Sequence, residues 1–310
     1  MQHLAGRSAV VTGSSMGIGK AVALELARHG ASVVLNSSSS AVALEETVAE
    51  ITDAGGRVIG RLGSVADYDF AGSLVADCVR EFGAIDILVN VAGIAEPPGS
   101  SILDIDPADW RRQIDVHLHG TFNTCRHAAP LMAAQRRGAI VNTASHALLG
   151  VFGGTGYAAG KGGTLSLSWA MARELAGHGV RCNVVCPGAE SRLSTGPEYA
   201  ALIASLNARG ILDDRMRDAA LNPVPAKFLA PAYAFLASDL ARDVNGKLFS
   251  VAGGYVGLFT GLQEQFLAYK DHRGGETWTL EELAAQLAGA LTAPGTLLRC
   301  IPMRTTFESN

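Results

Sequence analysis

The sequence predicts a doubly wound α/β domain, a parallel sheet with helices on both faces, and three observations predict it. Short apolar runs alternate with amphipathic stretches of helical period, the pattern of a parallel sheet with right-handed crossovers. A glycine-rich turn joins the first apolar run to the first helix. A chain of 310 residues that is 48% hydrophobic, with 36 glycines, can bury a substantial core and make many tight turns.

Ser8-Ala-Val-Val-Thr12 is a short apolar run, hence a buried strand. Gly13, Gly17 and Gly19 follow in Thr12-Gly-Ser-Ser-Met-Gly-Ile-Gly19, and an amphipathic helix runs on to His29. Strand, glycine turn and helix N-terminus together make a cradle for a pyrophosphate, drawn there by free amides and the helix dipole. Ser32 to Asn36 is the second strand, and Ser37 to Ser40 a polar loop. Folds that bind NAD carry a carboxylate near this strand end for the ribose 2′-hydroxyl. Asn36 and Ser37 stand there instead. Losing the carboxylate removes a repulsion against a 2′-phosphate and favours NADP over NAD, although no arginine or lysine in the loop grips that phosphate.

Helix Val42 to Ala54, strand Arg57 to Leu62, helix Tyr68 to Phe82 and strand Ile85 to Val89 continue the alternation. Asn90-Val91-Ala92-Gly93 closes the fourth strand at the carboxyl edge, where such sheets bind ligands. Asp106 and Pro107, an N-cap and a first-turn proline, open a long helix to Gln135 that carries Trp110, Val116, His117 and His119. His119 reads as structural. Ala139 to Thr143 is a further apolar run, Arg181 to Pro187-Gly188 the sixth strand and its exit turn, and Lys247 to Val251 the last strand. The long connection between those two includes a helix near Ala226 to Ser238. Its first part, about 189–226, reads as a lid or substrate wall. In the tail, Thr279 and Glu282 form a capping box ahead of a helix from Leu280 to Leu291.

A net charge of −4 without a basic run argues against a nucleic-acid surface. The N-terminus lacks the pattern of a signal peptide, and Leu248 to Leu262 is too short and glycine-broken to span a membrane. The five cysteines are odd in number and form no Cys-x-x-Cys, so no metal site is expected. Cys182 and Cys186, on one face of a strand, read as small buried thiols. The expectation is a cytoplasmic protein with a small-molecule substrate.

Chemistry concentrates between Ser145 and Lys161. Tyr157 and Lys161 stand four apart at the start of a helix from Gly156 to His178, so their side chains share a face. An ammonium beside a phenol favours the phenolate, which would draw the tyrosine from about 10 towards neutrality and make it a usable acid and base. Ser145, at the end of the apolar run, can hydrogen-bond the oxygen on which the proton moves.

With these residues placed, the chain from Ser8 to about Tyr255 resembles the short-chain dehydrogenase/reductase family. Thr12-Gly13-x-x-x-Gly17-x-Gly19 matches its cofactor turn, Asn90-x-Ala92-Gly93 its Asn-Asn-Ala-Gly motif, and Ser145, Tyr157 and Lys161 its catalytic trio. Pro187-Gly188 matches the turn that flanks the nicotinamide. The resemblance implies that Tyr157 is the proton donor or acceptor, that Ser145 polarises the carbonyl, and that Lys161 holds the nicotinamide ribose and tunes Tyr157. It adds Ser15, Ile18, Ser64 and Val65 to the cofactor contacts and gives Asn90 the support of the central strands.

Four positions depart from the family pattern. His117 replaces its active-site Asn, Val91 the second Asn of the Asn-Asn-Ala-Gly motif, Ser64 an Asp that meets the adenine, and Arg192 a Thr near the nicotinamide. A neutral imidazole at 117 can hold the relay water that an amide holds. Val-His-Leu there, and Ser-Arg after the Pro turn, are similar to the dehydrogenase part of type 2 peroxisomal multifunctional enzymes. That relative acts on (3R)-hydroxyacyl-CoA thioesters, so 3-oxoacyl or 3-hydroxyacyl thioesters lead the expected substrates, with polycyclic or polyketide ketones next.

The resulting expectation is a Rossmann-like domain, residues 1–255, of strand order 3-2-1-4-5-6-7, with residues 256–310 a helical extension packed on it. It transfers hydride between NADP or NAD and a ketone or secondary alcohol. Two rival readings share the fold: a cofactor-binding protein whose catalysis is lost through His117, and a lyase or epimerase that keeps its nicotinamide bound. A homo-oligomer, tetramer or dimer, is expected through the long helix and the core helix. Ala128, Leu131, Leu165, Trp169 and Ala172 there exceed the needs of one inward stripe.

Overall fold

A computed structural model describes residues 2–97, 100–152, 154–191, 194–260 and 278–292. The chain forms two compact units, Met1–Phe259 and Thr260–Asn310. In the first, strands β1 (Ser8–Thr12), β2 (Ser32–Ser37), β3 (Val58–Leu62), β4 (Ile87–Asn90), β5 (Gly138–Thr143), β6 (Val180–Pro187) and β7 (Leu248–Ala252) pair in parallel. An eighth strand, β8 (Tyr255–Leu258), joins antiparallel to β7, so the order is 3-2-1-4-5-6-7-8. Gly253, at φ +57°, turns the chain between the last two strands.

Period-2 alternation divides the core. Val11, Leu35, Val89, Val141 and Val185 face the layer made by helix α1 (Gly17–Arg28) and helix α9 (Ala230–Ala237). Their neighbours Val10, Val34, Leu88 and Ile140 face α3 (Tyr68–Phe82), α5 (Gly120–Gln135) and α6 (Thr155–Ala176). A sheet covered on both faces is buried on both, hence near-continuous apolar strands. Cys182 and Cys186 are buried thiols on this sheet, and Cys300 lies outside the described residues.

Helix caps follow local chemistry. Ser40 caps α2 (Ala41–Asp53), Asp67 caps α3, and Asp106 with Pro107 opens α4 (Pro107–Ile114). The long helix foreseen from Pro107 to Gln135 is not one regular α-helix. Asp115–His119 forms a π-helical turn between α4 and α5, and it turns His117 inward. The connection after β6 contains two helices, α7 (Pro197–Ala208) and α8 (Asp214–Leu221), each behind its own start signal: Pro197 at the first and Asp213 as the cap of the second. Arg192 and Leu193 in that connection lie outside the described residues.

The surplus of apolar residues expected on α5 and α6 is smaller than the sequence suggests. Ala128, Leu165 and Ala172 are buried in the chain's own core. Trp110, Phe122 and Leu131 are the large apolar side chains that α4 and α5 expose. In the second unit, helix α10 (Leu280–Thr292) carries the foreseen capping box: Glu282 N–H donates to Thr279 Oγ1 at 3.1 Å, and Thr279 N–H to Glu282 Oε2 at 2.8 Å.

Candidate active site

The register brings four strand ends to one edge. Thr12 lies beside Asn90, Asn90 beside Asn142, and Thr143 beside Val185. The chain leaves β1 towards β2 on one side and returns as β4 on the other, so the crevice between those two strands is a topological switch point. Thr12 Oγ1 ties the crevice together by accepting from Val91 N–H at 3.1 Å and Ala92 N–H at 3.2 Å. Gly93 continues that loop.

The cofactor turn tests well against a pyrophosphate. Helix α1 starts without a side-chain cap and without an acidic residue in its first turn, so its leading amides are left for an anion. Gly17 has φ +55°, which an L side chain rarely adopts, and the nearest neighbour of a Cβ there would be Ser191, 3.8 Å away. Ile18 and Gly19 lie in the first turn of α1.

Asn36 and Ser37 brace this turn from within. The Asn36 amide accepts from Gly13 N–H at 3.3 Å and donates to the Gly63 carbonyl at 2.9 Å; the residue is 2% exposed. Ser15 Oγ donates to Ser37 Oγ at 3.0 Å, and Ser37 is equally buried. The exposed serines at this strand end are Ser38 and Ser39. Ser64 Oγ accepts from Ala66 N–H at 3.2 Å, and Val65 is buried against α5, its carbonyl accepting from Asn123.

Asn90 is spent on the scaffold. Its amide donates to Asn142 Oδ1 at 2.9 Å and accepts from Thr124 Oγ1 at 2.7 Å, which joins β4, β5 and α5. Val91, where a second Asn was expected, packs against the apolar layer under α1. Pro187 ends β6, and Gly188 N–H donates to the Val251 carbonyl at 2.8 Å, fixing the turn beside the crevice.

Ser145, Tyr157, Lys161 and His117 converge. Ser145 follows β5, its hydroxyl accepting from Ala147 N–H at 3.2 Å and lying close enough to the Tyr157 phenol to favour its ionised form. Lys161, 4% exposed, donates to the Thr143 carbonyl at 2.8 Å and lies 5.8 Å from the centre of the Tyr157 ring. His117, 1% exposed, meets the Tyr157 ring edge-on with centroids 4.9 Å apart. Its Nε2 lies 3.2 Å from the Ile94 carbonyl, while Nδ1 has no hydrogen-bond partner among the described residues. His119 pairs with Asp115 on the exposed face.

The electrostatics correct one expectation. Lys161 does not draw the Tyr157 phenol down in the chain alone; burial pushes it up to about 12, opposed by the Ser145 hydroxyl and reinforced by Cys186, Glu96 and Tyr199. The ammonium is committed to Thr143, and its own burial brings it down to about 8. Burial, with Lys161 nearby, also holds His117 well below the usual imidazole range, so it is neutral at physiological pH.

Two residues beside the trio gave little sequence signal. Tyr199 on α7 joins Val151, Phe152, Ile203 and Met216 in an apolar wall. Glu96, on the loop after β4, bonds the backbone at the start of α6. The one available hint was that Gly154-Thr-Gly-Tyr157 offers that helix no acidic residue in its first turn.

A family model described as short chain dehydrogenase matches residues 7–194. The 3-oxoacyl-[acyl-carrier-protein] reductase FabG of Staphylococcus aureus is 35% identical over 257 residues, 80% of this chain and 97% of that protein. The hydroxyacyl-CoA dehydrogenase ChsB1 of Mycobacterium tuberculosis is 33% identical, covering 92% of this chain and 88% of its own. The cis-4-hydroxycyclohexanecarboxylate dehydrogenase of Sinomonas cyclohexanicum is 37% identical over 82% of this chain and 98% of its own. A crystal structure of a short chain dehydrogenase from Mycobacterium avium superposes with a TM-score of 0.76 at 32% identity, covering 93% of this chain and 95% of that one. With its sheet order, cofactor turn and Ser-Tyr-Lys cluster accounted for, the chain belongs to the short chain dehydrogenase family, NAD(P)-dependent oxidoreductases that interconvert ketones and secondary alcohols.

Proposed function

We propose that the chain interconverts 3-oxoacyl and 3-hydroxyacyl thioesters with NADP(H). The observation that carries the reading is the convergence of Ser145, Lys161 and His117 on the buried Tyr157, which can give one substrate oxygen both a donor and a proton source. The bound nicotinamide supplies or accepts the hydride. In reduction, Ser145 donates a hydrogen bond to the substrate carbonyl and Tyr157 gives it the proton; in oxidation, Tyr157 takes the proton back. Lys161 holds the cofactor ribose and hands the phenol a positive field once the ligands displace water. His117, with its unpartnered Nδ1, accepts from the water that refills Tyr157 with protons.

The thioester class is supported by two relatives, named for 3-oxoacyl-carrier and hydroxyacyl-CoA substrates, and by the apolar wall from Val151 to Met216 that suits an acyl chain. A cyclic secondary alcohol is the second reading, favoured by the relative named for a hydroxycyclohexanecarboxylate. The preference for NADP(H) rests on a β2 end without a carboxylate and with exposed Ser38 and Ser39. The exposed Trp110, Phe122 and Leu131 support pairing of α4 and α5 between copies, and four buried thiols suit a reducing cytoplasm. Following NADPH absorbance across acyl-CoA thioesters and cyclic ketones tests the reading. Turnover of acetoacetyl-CoA or a longer 3-oxoacyl-CoA supports it, and turnover confined to cyclic ketones overturns it.

A further inference from the structure

Helix α6 carries Tyr157 and Lys161, yet it begins with no capping side chain and no acidic residue of its own. Its N-cap is Gly154, which places Tyr157 at the third helical position, where the leading amides need partners from elsewhere. They find them on the loop after β4. The Glu96 carboxylate accepts from Gly154 N–H through one oxygen and from Tyr157 N–H, at 3.4 Å, through the other. The Ser100 carbonyl accepts from Thr155 N–H at 2.8 Å. A Cβ at Gly154 would run into both Ser100 and Glu96, so the two segments are in direct contact. The loop is itself pinned: Gln113 donates to the Ala95 carbonyl at 2.8 Å, and His117 contacts both backbone groups of Ile94.

We infer that Glu96 is a positioning residue for Tyr157: from the loop after β4 its carboxylate caps the first turn of α6 and holds Tyr157 as an uncharged phenol. The inference rests on Tyr157 being the acid/base of the proposed function. The positive end of a helix dipole favours an anion in the first turn, and a phenolate at the third position would profit from it. A carboxylate already seated on those amides takes up that field and adds its own repulsion. Burial raises the Glu96 carboxyl while its two backbone bonds hold it down. The other ionisable groups that face Tyr157 are Lys161 on its own helix, His117 on the π turn, Cys186 on β6, Tyr199 on α7 and Tyr233 on α9. None of them bonds the first-turn amides of α6 among the described hydrogen bonds. Glu96 is therefore the group through which the loop can set both the position and the protonation of Tyr157.

The test is a titration of the Tyr157 Cζ signal in 13C-tyrosine-labelled protein saturated with NADP+, the signal being assigned by its loss in Tyr157→Phe. Glu96→Gln keeps the size and an acceptor oxygen but removes the charge, and should move the titration down by about half a unit to one unit. Thr155→Asp adds an anion to the same turn without touching Glu96 and should move it up. A Glu96→Gln signal that titrates as in wild type overturns the inference, even if the melting temperature falls, because Glu96 is then a structural cap alone. If Glu96→Gln does not fold, Thr155→Asp decides: an upward move supports the inference, and an unmoved signal overturns it. Turnover of Tyr157→Phe separates the two levels. Activity kept by that variant defeats the acid/base reading itself, whereas activity lost with an unmoved titration in Glu96→Gln defeats only the role of Glu96.

Discussion

His117 and Tyr157 meet edge to face at 89°, and that contact joins the π turn between α4 and α5 to helix α6. A π turn is a costly local geometry, and here it delivers an imidazole to the back of the active site. Because burial and Lys161 keep the ring neutral, a rate limb near pH 6.5 from this residue is not expected. His117→Asn should retain much of the turnover, since an amide offers the same acceptor, and His117→Ala should lose about tenfold or more in kcat. Stability gives the sign of its titration. The unfolded chain binds a proton at 117 below about pH 6.5 while the native state does not, so stability falls as pH drops through that value. His146, also held low by burial, contributes in the same direction. Melting temperatures from pH 8 to pH 5 should therefore fall less steeply in His117→Asn than in wild type. Equal slopes would mean that the imidazole is protonated in the fold.

Tyr157→Phe removes the buried hydroxyl near Ser145 and leaves the ring against His117. The expected loss in kcat is several orders of magnitude with cofactor affinity nearly unchanged. Since the phenol stands at about 12 before ligands bind, alcohol oxidation by wild type should quicken with rising pH, and ketone reduction should not. Steady-state rates in both directions between pH 6 and 10 check this.

The sheet order and the placing of Tyr157 and Lys161 on one helix face were legible because each depends on local pattern: apolar runs of strand length, glycines at a turn, and a spacing of four on a helix. Three features were not. The π turn leaves no periodic signature in Asp115 to His119, since a single extra residue per turn is smaller than the scatter of apolar positions. The Glu96 contact with the start of α6 is non-local, and the acid and the helix it caps are 58 residues apart in sequence. The direction of the Tyr157 shift required burial, which a spacing of four cannot report; the lysine that looks like its partner turns its ammonium to the Thr143 carbonyl. The faces of α5 and α6 were misjudged for a related reason. Ala128, Leu165 and Ala172 serve a sheet layer wider than one stripe.

Ser37→Asp should reverse the cofactor preference. In wild type the Ser37 hydroxyl accepts from Ser15 Oγ and, at 3.3 Å, from Ser40 N–H, so a carboxylate there inherits two donors. It also brings a negative charge to the end of β2, which repels a 2′-phosphate and accepts from a 2′-hydroxyl. Wild type should show the higher kcat/KM with NADPH, and the variant the higher value with NADH. A wild-type enzyme that prefers NADH would refute the assignment of NADP(H) at its root.

Lys161→Met should abolish turnover and raise stability together. Burial brings the Lys161 ammonium from its usual range to about 8, a difference of roughly 2.5 units against the unfolded chain. At pH 7 both states hold the proton, and the native state bears the whole desolvation cost, on the order of 3 kcal/mol. Between about pH 8 and 10.5 the unfolded chain holds more protons than the native one, so that cost shrinks as pH rises. Methionine keeps most of the side-chain volume and removes the charge, at the loss of one charge-assisted hydrogen bond to Thr143 worth about 1.5–3 kcal/mol. The net expectation is a gain of up to about 1.5 kcal/mol at pH 7 that diminishes towards pH 10. Denaturant titrations of both proteins at the two pH values measure it. A variant less stable than wild type at pH 7 would mean that the ammonium is held by more than the Thr143 carbonyl, and that the lysine stabilises the fold as well as serving the reaction.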